Sequence, residues 1–419
     1  MNLQNTTLPN GLRIVTQERP QLETVLLGIW IKTGSAYENK SNNGISHFLE
    51  HMSFKGTTTR TSLQISEEIE DVGGHSNAYT SREFTAYYAK VMKEDAELAI
   101  DVLTDSIKNS IFPEEELVKE REVVIQEIKQ SFDDPGDIVF DYFQETAFPN
   151  QALGRPILGP EAIVKAFTRE SLQQYITSNY AAENMIVCAV GNIKHEKFVE
   201  MVKSRMSDFR AKTNFVTEEQ KYVGGFFKEV RPIEQNHVIL GFQGYPHKSD
   251  KYYDISILSS VLGGGMSSRL FQEIREKRGL VYSVYSYSSS HSDAGIFAIY
   301  AGTGKKELPV LMPVVIDEIK KISNELITDK ELERAKVQLK ASIKMGLESP
   351  SATAEVIVRK NMIYGKNPNI KEMIEKIDAV TKESIRDVAM EIFTSKPTYT
   401  LLGAIKKHME YDELQKALA

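Results

Sequence analysis

The chain has 419 residues, of which 41% are hydrophobic and 26% are charged, and its formal net charge is −7. This length exceeds what one hydrophobic core usually serves and predicts two domains of about two hundred residues each. The negative charge argues against a general nucleic-acid binder. No run approaches the roughly 18 apolar residues of a membrane span, so we expect neither nucleic acid nor membrane as a partner.

The start of the chain is polar and lacks a basic segment followed by an apolar one. This pattern differs from a secretory signal and from an Arg-rich organellar presequence, so we expect a cytoplasmic protein. The single cysteine, Cys188, lies in an apolar run that is typical of a strand. It is expected to be a small core residue without a disulfide partner.

The first predicted elements are strands, and a helix with a polar motif follows them. Asn10-Gly11 predicts a hairpin turn, and residues 24–31 read as a buried strand. The helix carries His47-Phe48-Leu49-Glu50-His51. Because a helix turns roughly 100° per residue, His47, Glu50 and His51 share one face.

Two imidazoles one helical turn apart can bind one Zn²⁺, and the carboxylate beside them is placed to accept a proton from a zinc-bound water. The motif is the inverted form of the commoner His-Glu-x-x-His zinc helix. With eight histidines in the chain, the pattern can also arise by chance. The motif alone is therefore a hypothesis and needs a third ligand to support it.

A catalytic zinc centre needs a third protein ligand and an open position for water. The other six histidines are scattered, which favours a carboxylate. Residues 113–128 predict an acidic helix, since Pro113 suits the first turn and the acidic run suits the positive end. Glu120 and Glu127 lie two turns apart on one face, and Glu127 is in the more apolar half. The residues alone do not decide whether Glu120, Glu122 or Glu127 is the third ligand.

Two glycine-rich segments follow in chain order. Residues 73–80 predict a turn into a strand, and the alternating run 84–89 predicts the next strand. Residues 262–271 are also rich in glycine. They lack Gly-x-Gly-x-x-Gly, and no Gly-Lys-Ser/Thr follows, so a nucleotide site is not expected there.

The second half repeats the order of elements in the first half. Residues 237–242 resemble the buried strand 24–31, and a helix, a glycine-rich turn and strands follow in both halves. Long helical stretches close the halves near 159–209 and 305–395. The second half has no His-x-x-Glu-His. A duplicated fold with one metal-bearing copy is the simplest interpretation.

We therefore predict an α+β protein with two homologous α/β-roll domains, each an antiparallel sheet with helices on one side. The metal-bearing domain is predicted at 1–212, and a polar linker at 213–226. The C-terminal domain, which lacks the metal motif, is predicted at 227–419.

Residues 44–57, together with Glu127, resemble the pitrilysin/insulinase superfamily of zinc peptidases. They are most similar to its short members, the mitochondrial processing peptidase subunits and their bacterial relatives. The resemblance implies His47, His51 and Glu127 as ligands of one Zn²⁺ per chain and Glu50 as the general base. The donor types by themselves also accept manganese or cobalt.

The resemblance implies further roles in the first domain. Glu120 would contribute to catalysis as a carboxylate next to the ligands, since such groups orient ligands and tune the metal. Asn77 and Ala78 would belong to an open edge strand that pairs with the substrate backbone. An ordinary loop and core strand is the alternative for that block.

Residues later in the chain are also implied to contact the substrate. Arg275 and Tyr282 would approach it at the metal, where either could stabilise an oxyanion, although Arg278 remains an alternative to Arg275. Asp137 and Asp141 would together receive an arginine near the cleavage point. Surface charges on helices are the alternative for all of them.

The motif and the resemblance together imply a zinc-dependent endopeptidase that hydrolyses peptides or unfolded, presequence-like segments. The alternative is a catalytically silent scaffold or assembly subunit with the same fold. A metal hydrolase with another substrate is a third hypothesis, and the edge-strand block speaks against it. The longer relatives join four such domains in one chain. The resemblance therefore implies a clam-like half-chamber that is completed in a homodimer.

Overall fold

A computed structural model describes residues 2–213 and 218–419. Residues 214–217 of the predicted linker lie outside the described residues, and its last two residues begin a strand, Gly225–Val230. The strands of the described residues are β1 Leu3–Thr7, β2 Arg13–Glu18, β3 Thr24–Ile31, β4 His75–Thr80, β5 Thr85–Met92, β6 Met185–Gly191, β7 Gly225–Val230, β8 Asn236–Gln243, β9 Val281–Ser290, β10 Gly295–Thr303 and β11 Thr398–Gly403.

Helices make up most of the remaining regular structure. The helices up to the predicted linker are α1 Ile45–Met52, α2 Ser62–Glu70, α3 Ala96–Lys108, α4 Glu114–Asp133, α5 Pro135–Ala147, α6 Glu161–Val164, α7 Arg169–Asn179 and α8 His195–Met206. Those after it are α9 Tyr252–Gly263, α10 Leu308–Asn324, α11 Asp329–Gly346, α12 Pro350–Tyr364, α13 Ile370–Asp378, α14 Lys382–Phe393 and α15 Tyr411–Leu418. A π-helical turn spans Phe271–Glu276.

The strands form two sheets with one topology. The first sheet has the order β1-β2-β6-β3-β5-β4, and the second has the order β7-β11-β8-β10-β9. Apart from the additional edge strand β1, each strand of one sheet has a counterpart in the other. This repetition agrees with the predicted pair of homologous domains.

Each sheet is antiparallel except for one parallel pair, which the sequence analysis did not predict. β2 pairs with β6 in parallel, as β7 pairs with β11, and the other neighbours are antiparallel. Parallel neighbours need a long crossover connection, and here the crossover contains the intervening strands and helices of each half.

The chain forms two compact units that exchange segments. One unit contains Met1–Lys129, Arg155–Glu218 and Met345–Asn369; the other contains Gln130–Gly154, Glu219–Lys344 and Ile370–Ala419. The contiguous division predicted from the sequence, 1–212 and 227–419, therefore differs from the compact units. The segment with α5 belongs to the second unit, and the segment with α12 belongs to the first.

The physical reason is that both faces of each sheet are covered, whereas helices were predicted on one side only. In β3, Leu27 and Ile29 join the core on one face, while Leu26 and Trp30 join a second cluster on the other face. Helix α12 packs over that second face, and α5 packs in the same way on β7, β8 and β11. An apolar strand face left uncovered would cost about 25 cal/mol per Å² of exposed apolar surface.

Within the residues that the structure describes, no helix combines the length and the apolar character needed to cross a membrane.

Candidate metal centre

The motif helix α1 is fixed at its start by a buried carboxylate. Glu38 Oε1 accepts a hydrogen bond from the Ser46 backbone N–H at 2.8 Å, and its Oε2 accepts one from the Gly44 N–H at 2.8 Å. These bonds satisfy two of the N–H donors that the first turn of a helix leaves free. Gly44 has φ 96°, and a Cβ there would lie 2.6 Å from the Leu158 carbonyl oxygen.

One face of α1 is apolar and the other is polar. Ile45, Phe48, Leu49 and Met52 are buried in the core of the first unit. The packing of these side chains fixes the rotation of the helix, so that the motif residues emerge together on the opposite face.

The structure brings the two motif histidines together with Glu127 of α4. His47 Nε2 lies 3.7 Å from Glu127 Oε2, and His51 Nε2 lies 3.6 Å from the same oxygen. One ligand atom from each of the three residues lies within 4.8 Å of the others. Ligands bound tetrahedrally to zinc at roughly 2.0–2.1 Å lie ~3.4 Å apart. The two distances to Glu127 Oε2 are within a few tenths of an ångström of this spacing, and the whole group is compact enough to hold one divalent ion.

The electrostatic environment also fits a cation. Burial, together with the neighbouring His51, lowers the pKa of the His47 imidazole to about 3. A neutral imidazole has the free lone pair that a metal ligand requires. Burial opposes the charge on His51, but the hydrogen bond to Glu120 and the nearby carboxylates outweigh it and raise the pKa of His51. A positive charge is thus favoured at this position.

Glu120 lies on the same face of α4 and holds His51. Its Oε2 lies 3.0 Å from His51 Nδ1, and its Oε1 lies 2.6 Å from Lys55 Nζ. The Glu120 side chain is 8% exposed, whereas that of Glu127 is 38% exposed. Although burial opposes ionisation, the bonds to His51 and Lys55 lower the pKa of Glu120. The carboxylate is therefore ionised and fixes the orientation of the His51 ring.

Glu50 shares this face of α1 and is held from the neighbouring strand. Thr80 Oγ1 donates a hydrogen bond of 2.6 Å to Glu50 Oε2. Burial raises the pKa of Glu50 and outweighs the opposing effects of Thr80 and His51. The sequence analysis identified neither Thr80 nor Lys55 as part of the site. Thr80 is the last residue of the segment 73–80, where the sequence analysis predicted a strand but not this contact.

Asn77 and Ala78 lie on β4, which is the last strand of the first sheet and pairs only with β5 there. Asn77 is exposed, and its Oδ1 accepts a hydrogen bond from the Ala78 N–H at 2.8 Å. The predicted open edge strand is therefore present within the described residues, beside the helix that carries the motif.

The other predicted substrate residues belong to the second unit, and their roles stay predictions. Asp137 accepts a hydrogen bond of 2.6 Å from Ser131, and Asp141 lies one turn further along α5. The Arg275 guanidinium lies over the Tyr282 ring, 5.3 Å from its centre, and Tyr282 is 78% exposed.

Arg278 has a different environment from Arg275. Its Nη1 contacts the Glu273 carboxylate at 2.8 Å. Of the two alternatives, Arg275 is thus the one that shares a surface with Tyr282.

The sequence matches two family models, over different parts of the chain. Residues 13–161 match the insulinase family, peptidase family M16, and residues 166–339 match the M16 inactive domain. An uncharacterized zinc protease of Rickettsia felis is 41% identical over 96% of this chain and 98% of its own length. The chain belongs to peptidase family M16. This membership confirms the resemblance stated from residues 44–57 and Glu127.

Two further relatives extend the comparison across the family. A probable mitochondrial-processing peptidase subunit beta of Arabidopsis thaliana is 35% identical over 98% of this chain and 80% of its own length. The crystal structure of a protease from Helicobacter pylori has a TM-score of 0.90, with 23% identity, over 96% of this chain and 99% of that one. This second likeness confirms the fold, two related domains with helix-flanked sheets.

Proposed function

We propose that this M16 family member is a zinc-dependent endopeptidase of the His-x-x-Glu-His, or inverzincin, type. The observation that carries the proposal is the convergence of His47, His51 and Glu127, with Glu50 on the same helix face. Two imidazole nitrogens and one carboxylate are a donor set that zinc accepts in hydrolases. When bound, zinc polarises the scissile carbonyl and lowers the pKa of water towards roughly 7.

Glu50 is the group that we assign to proton transfer. It takes a proton from the attacking water and returns it to the departing amine. The raised pKa of Glu50, which results from burial, suits both steps because a general acid–base group works best near the ambient pH. Thr80 holds one carboxylate oxygen of Glu50 and so orients the other.

We assign the remaining residues of the first unit to support and binding. Glu120 keeps His51 in its ligating orientation and contributes to catalysis through that residue. The edge at Asn77 and Ala78 pairs with the backbone of an extended chain. Pairing of this kind requires an unfolded segment, so peptides and presequence-like segments are the proposed substrates.

Residues of the second unit complete the proposed substrate contacts. Tyr282 and Arg275 would stabilise the developing oxyanion, and Asp137 and Asp141 would receive an arginine of the substrate. A homodimer is the proposed assembly. The longer relatives join four such domains in one chain, and two copies of this two-domain chain would supply the same number. A light-scattering measurement that shows only monomer would remove this part of the proposal.

A catalytically silent scaffold remains the second candidate, and the name of the second matching model favours it. That model is called an inactive domain, but it matches residues 166–339. The motif and Glu127 lie in the other match, at 13–161. The name therefore describes the part of the chain without the histidine pair.

The test is cleavage of an internally quenched, arginine-containing peptide library, with cut sites mapped by mass spectrometry. We expect cleavage that a chelator abolishes and that zinc restores. His47→Ala should be inactive, whereas His291→Ala, a histidine in the hairpin of the second sheet, should retain activity. A protein that binds one zinc and cleaves no peptide would favour the scaffold instead.

A further inference from the structure

Strand β4 is held from both of its faces. Its residues alternate, so that Ala78 and Thr80 point to the side of α1, where Thr80 bonds Glu50. Tyr79 points to the opposite side and packs against the cluster beneath α12. Among the described residues, the six-residue edge strand β4 pairs through its backbone with β5 alone. Side-chain contacts therefore have a large share in fixing its position.

The contact on the second face is a carboxylate from far along the chain. Tyr79 donates a hydrogen bond of 2.7 Å to Glu355 Oε1, and the Trp30 indole N–H donates one of 3.0 Å to the same oxygen. Glu355 lies on α12, Trp30 on the central strand β3, and both belong to the first unit. Arg359 Nε lies 3.5 Å from Glu355 Oε2 and balances its charge.

Tyr79 is the donor in its bond to Glu355. Burial, followed by the nearby Glu355 charge, raises the pKa of Tyr79. The phenol is therefore the donor and the carboxylate the acceptor. A bond to an ionised acceptor is stronger and more directional than a bond between neutral groups. Glu355 thus ties the edge strand to the centre of the sheet.

The second sheet provides an internal control, because its register matches that of the first. In the first sheet, Tyr79 and Trp30 both pair with Ala86, which is the second residue of β5. In the second sheet the equivalent positions are Ser289 and Gln243, which both pair with Ile296. The same sheet therefore forms without a tyrosine or a tryptophan at these positions.

We propose that Glu355 is a positioning residue for peptide binding, which acts through Tyr79 to hold the β4 edge in register with an incoming strand. The proposal rests on the proposed function, since it concerns the same edge. It also predicts that a peptide bound along β4 shifts Tyr79, and that the shift reaches Trp30 through their shared carboxylate oxygen. Trp30 is the only tryptophan of the chain, so tryptophan fluorescence reports on the surroundings of this one side chain.

The first test separates KM from kcat. Tyr79→Phe should raise KM for a long peptide roughly tenfold, as expected for the loss of one hydrogen bond to a carboxylate, with a smaller change in kcat. Glu355→Ala removes the acceptor of both Tyr79 and Trp30 and should raise KM at least as much. Glu355→Gln retains an acceptor oxygen and should restore most of the affinity. The matched control is Tyr88→Phe, since the Tyr88 ring lies 6.5 Å from that of Tyr79. Within the described residues its hydroxyl makes no bond to Glu355.

The second test follows Trp30 emission during titration of a peptide onto Glu50→Gln, which prevents turnover. We expect an emission change that Tyr79→Phe abolishes and Tyr88→Phe preserves, while a labelled peptide shows by anisotropy that both variants still bind. Equal behaviour of the two tyrosine variants in both tests would overturn the inference and leave the peptidase function intact. A wild-type protein that binds no peptide would overturn both proposals, and zinc content and melting temperature verify that each variant is folded.

Discussion

The two units share a topology and differ in chemistry. Each has the same order of five strands, with one parallel pair at the corresponding place. The hairpins match too: residues 81–84 connect β4 to β5, and residues 291–294 connect β9 to β10. Mid-strand Gly28 of β3 has its counterpart in Gly241 of β8.

The helices after β3 and β8 show where the units diverge. Helix α1 carries two histidines and a glutamate on its polar face, whereas α9 contains no histidine and no glutamate. Glu127 and Glu120 on α4 complete the group in the first unit. The same fold therefore forms with the metal-binding residues of α1 or without them in α9. The metal chemistry depends on a few side chains and not on the architecture.

The largest expected effect comes from Glu50→Gln. Because the amide cannot accept the proton of water, kcat should fall by roughly 10²–10⁴-fold while zinc remains bound. Steady-state cleavage and metal analysis of the same preparation measure the two quantities. Glu67→Gln, an exposed glutamate on α2, serves as the control. Substantial remaining activity would remove Glu50 from the mechanism.

Zinc should stabilise the first unit and leave the second unchanged. At a free zinc concentration of about 100 times Kd, binding adds about 2.7 kcal/mol to the free energy of unfolding of the unit that binds zinc. Hydrogen exchange followed by mass spectrometry should show slower exchange in α1 and α4 on addition of zinc, but not in α9. Equal protection of α9 would mean that the second unit also takes part in metal binding.

Glu120→Gln should weaken zinc binding by roughly ten- to a hundredfold, since the variant loses the charge that orients His51. Competition with a chromophoric chelator measures the affinity. Glu122→Gln, an exposed neighbour on the same helix, is the matched control and should bind zinc as the wild type does. An unchanged affinity in Glu120→Gln would show that the His51 contact has no part in metal binding.

The smallest effect is expected from Thr80→Val, which removes the hydrogen bond to Glu50. The loss of about 1–1.5 kcal/mol corresponds to roughly tenfold in kcat, with little change in KM or zinc content. Thr80→Ser should recover most of the rate. Ser290→Ala, at the same hairpin position of the second sheet, should have no effect. If Thr80→Val and Ser290→Ala behave alike, Thr80 has no role in orienting the base.

The local features of the site were predictable from the sequence, because they depend on the period of one helix. The spacing of His47, Glu50 and His51 decides that they share a face, and α1 forms as predicted. The choice of Glu127 over Glu120 was not predictable from the residues, since both lie on one face of α4. In the structure Glu127 reaches both imidazoles, whereas Glu120 contacts Nδ1 of His51.

Contacts between distant segments could not be predicted from the sequence, for a physical reason. The bond between Tyr79 and Glu355 joins residues that are 276 positions apart, and no periodicity links them. The exchange of α5 and α12 depends on which helix covers the second face of each sheet. That choice arises from tertiary packing, which the pattern of one segment does not contain.

The central claim is that His47, His51 and Glu127 hold one divalent ion. Native mass spectrometry of the wild type and of single alanine variants at the three positions tests it most directly. We predict one zinc per chain in the wild type and a loss of zinc in each variant after dialysis against a mild chelator. A full complement of zinc in His47→Ala or Glu127→Ala under the same dialysis would contradict the account.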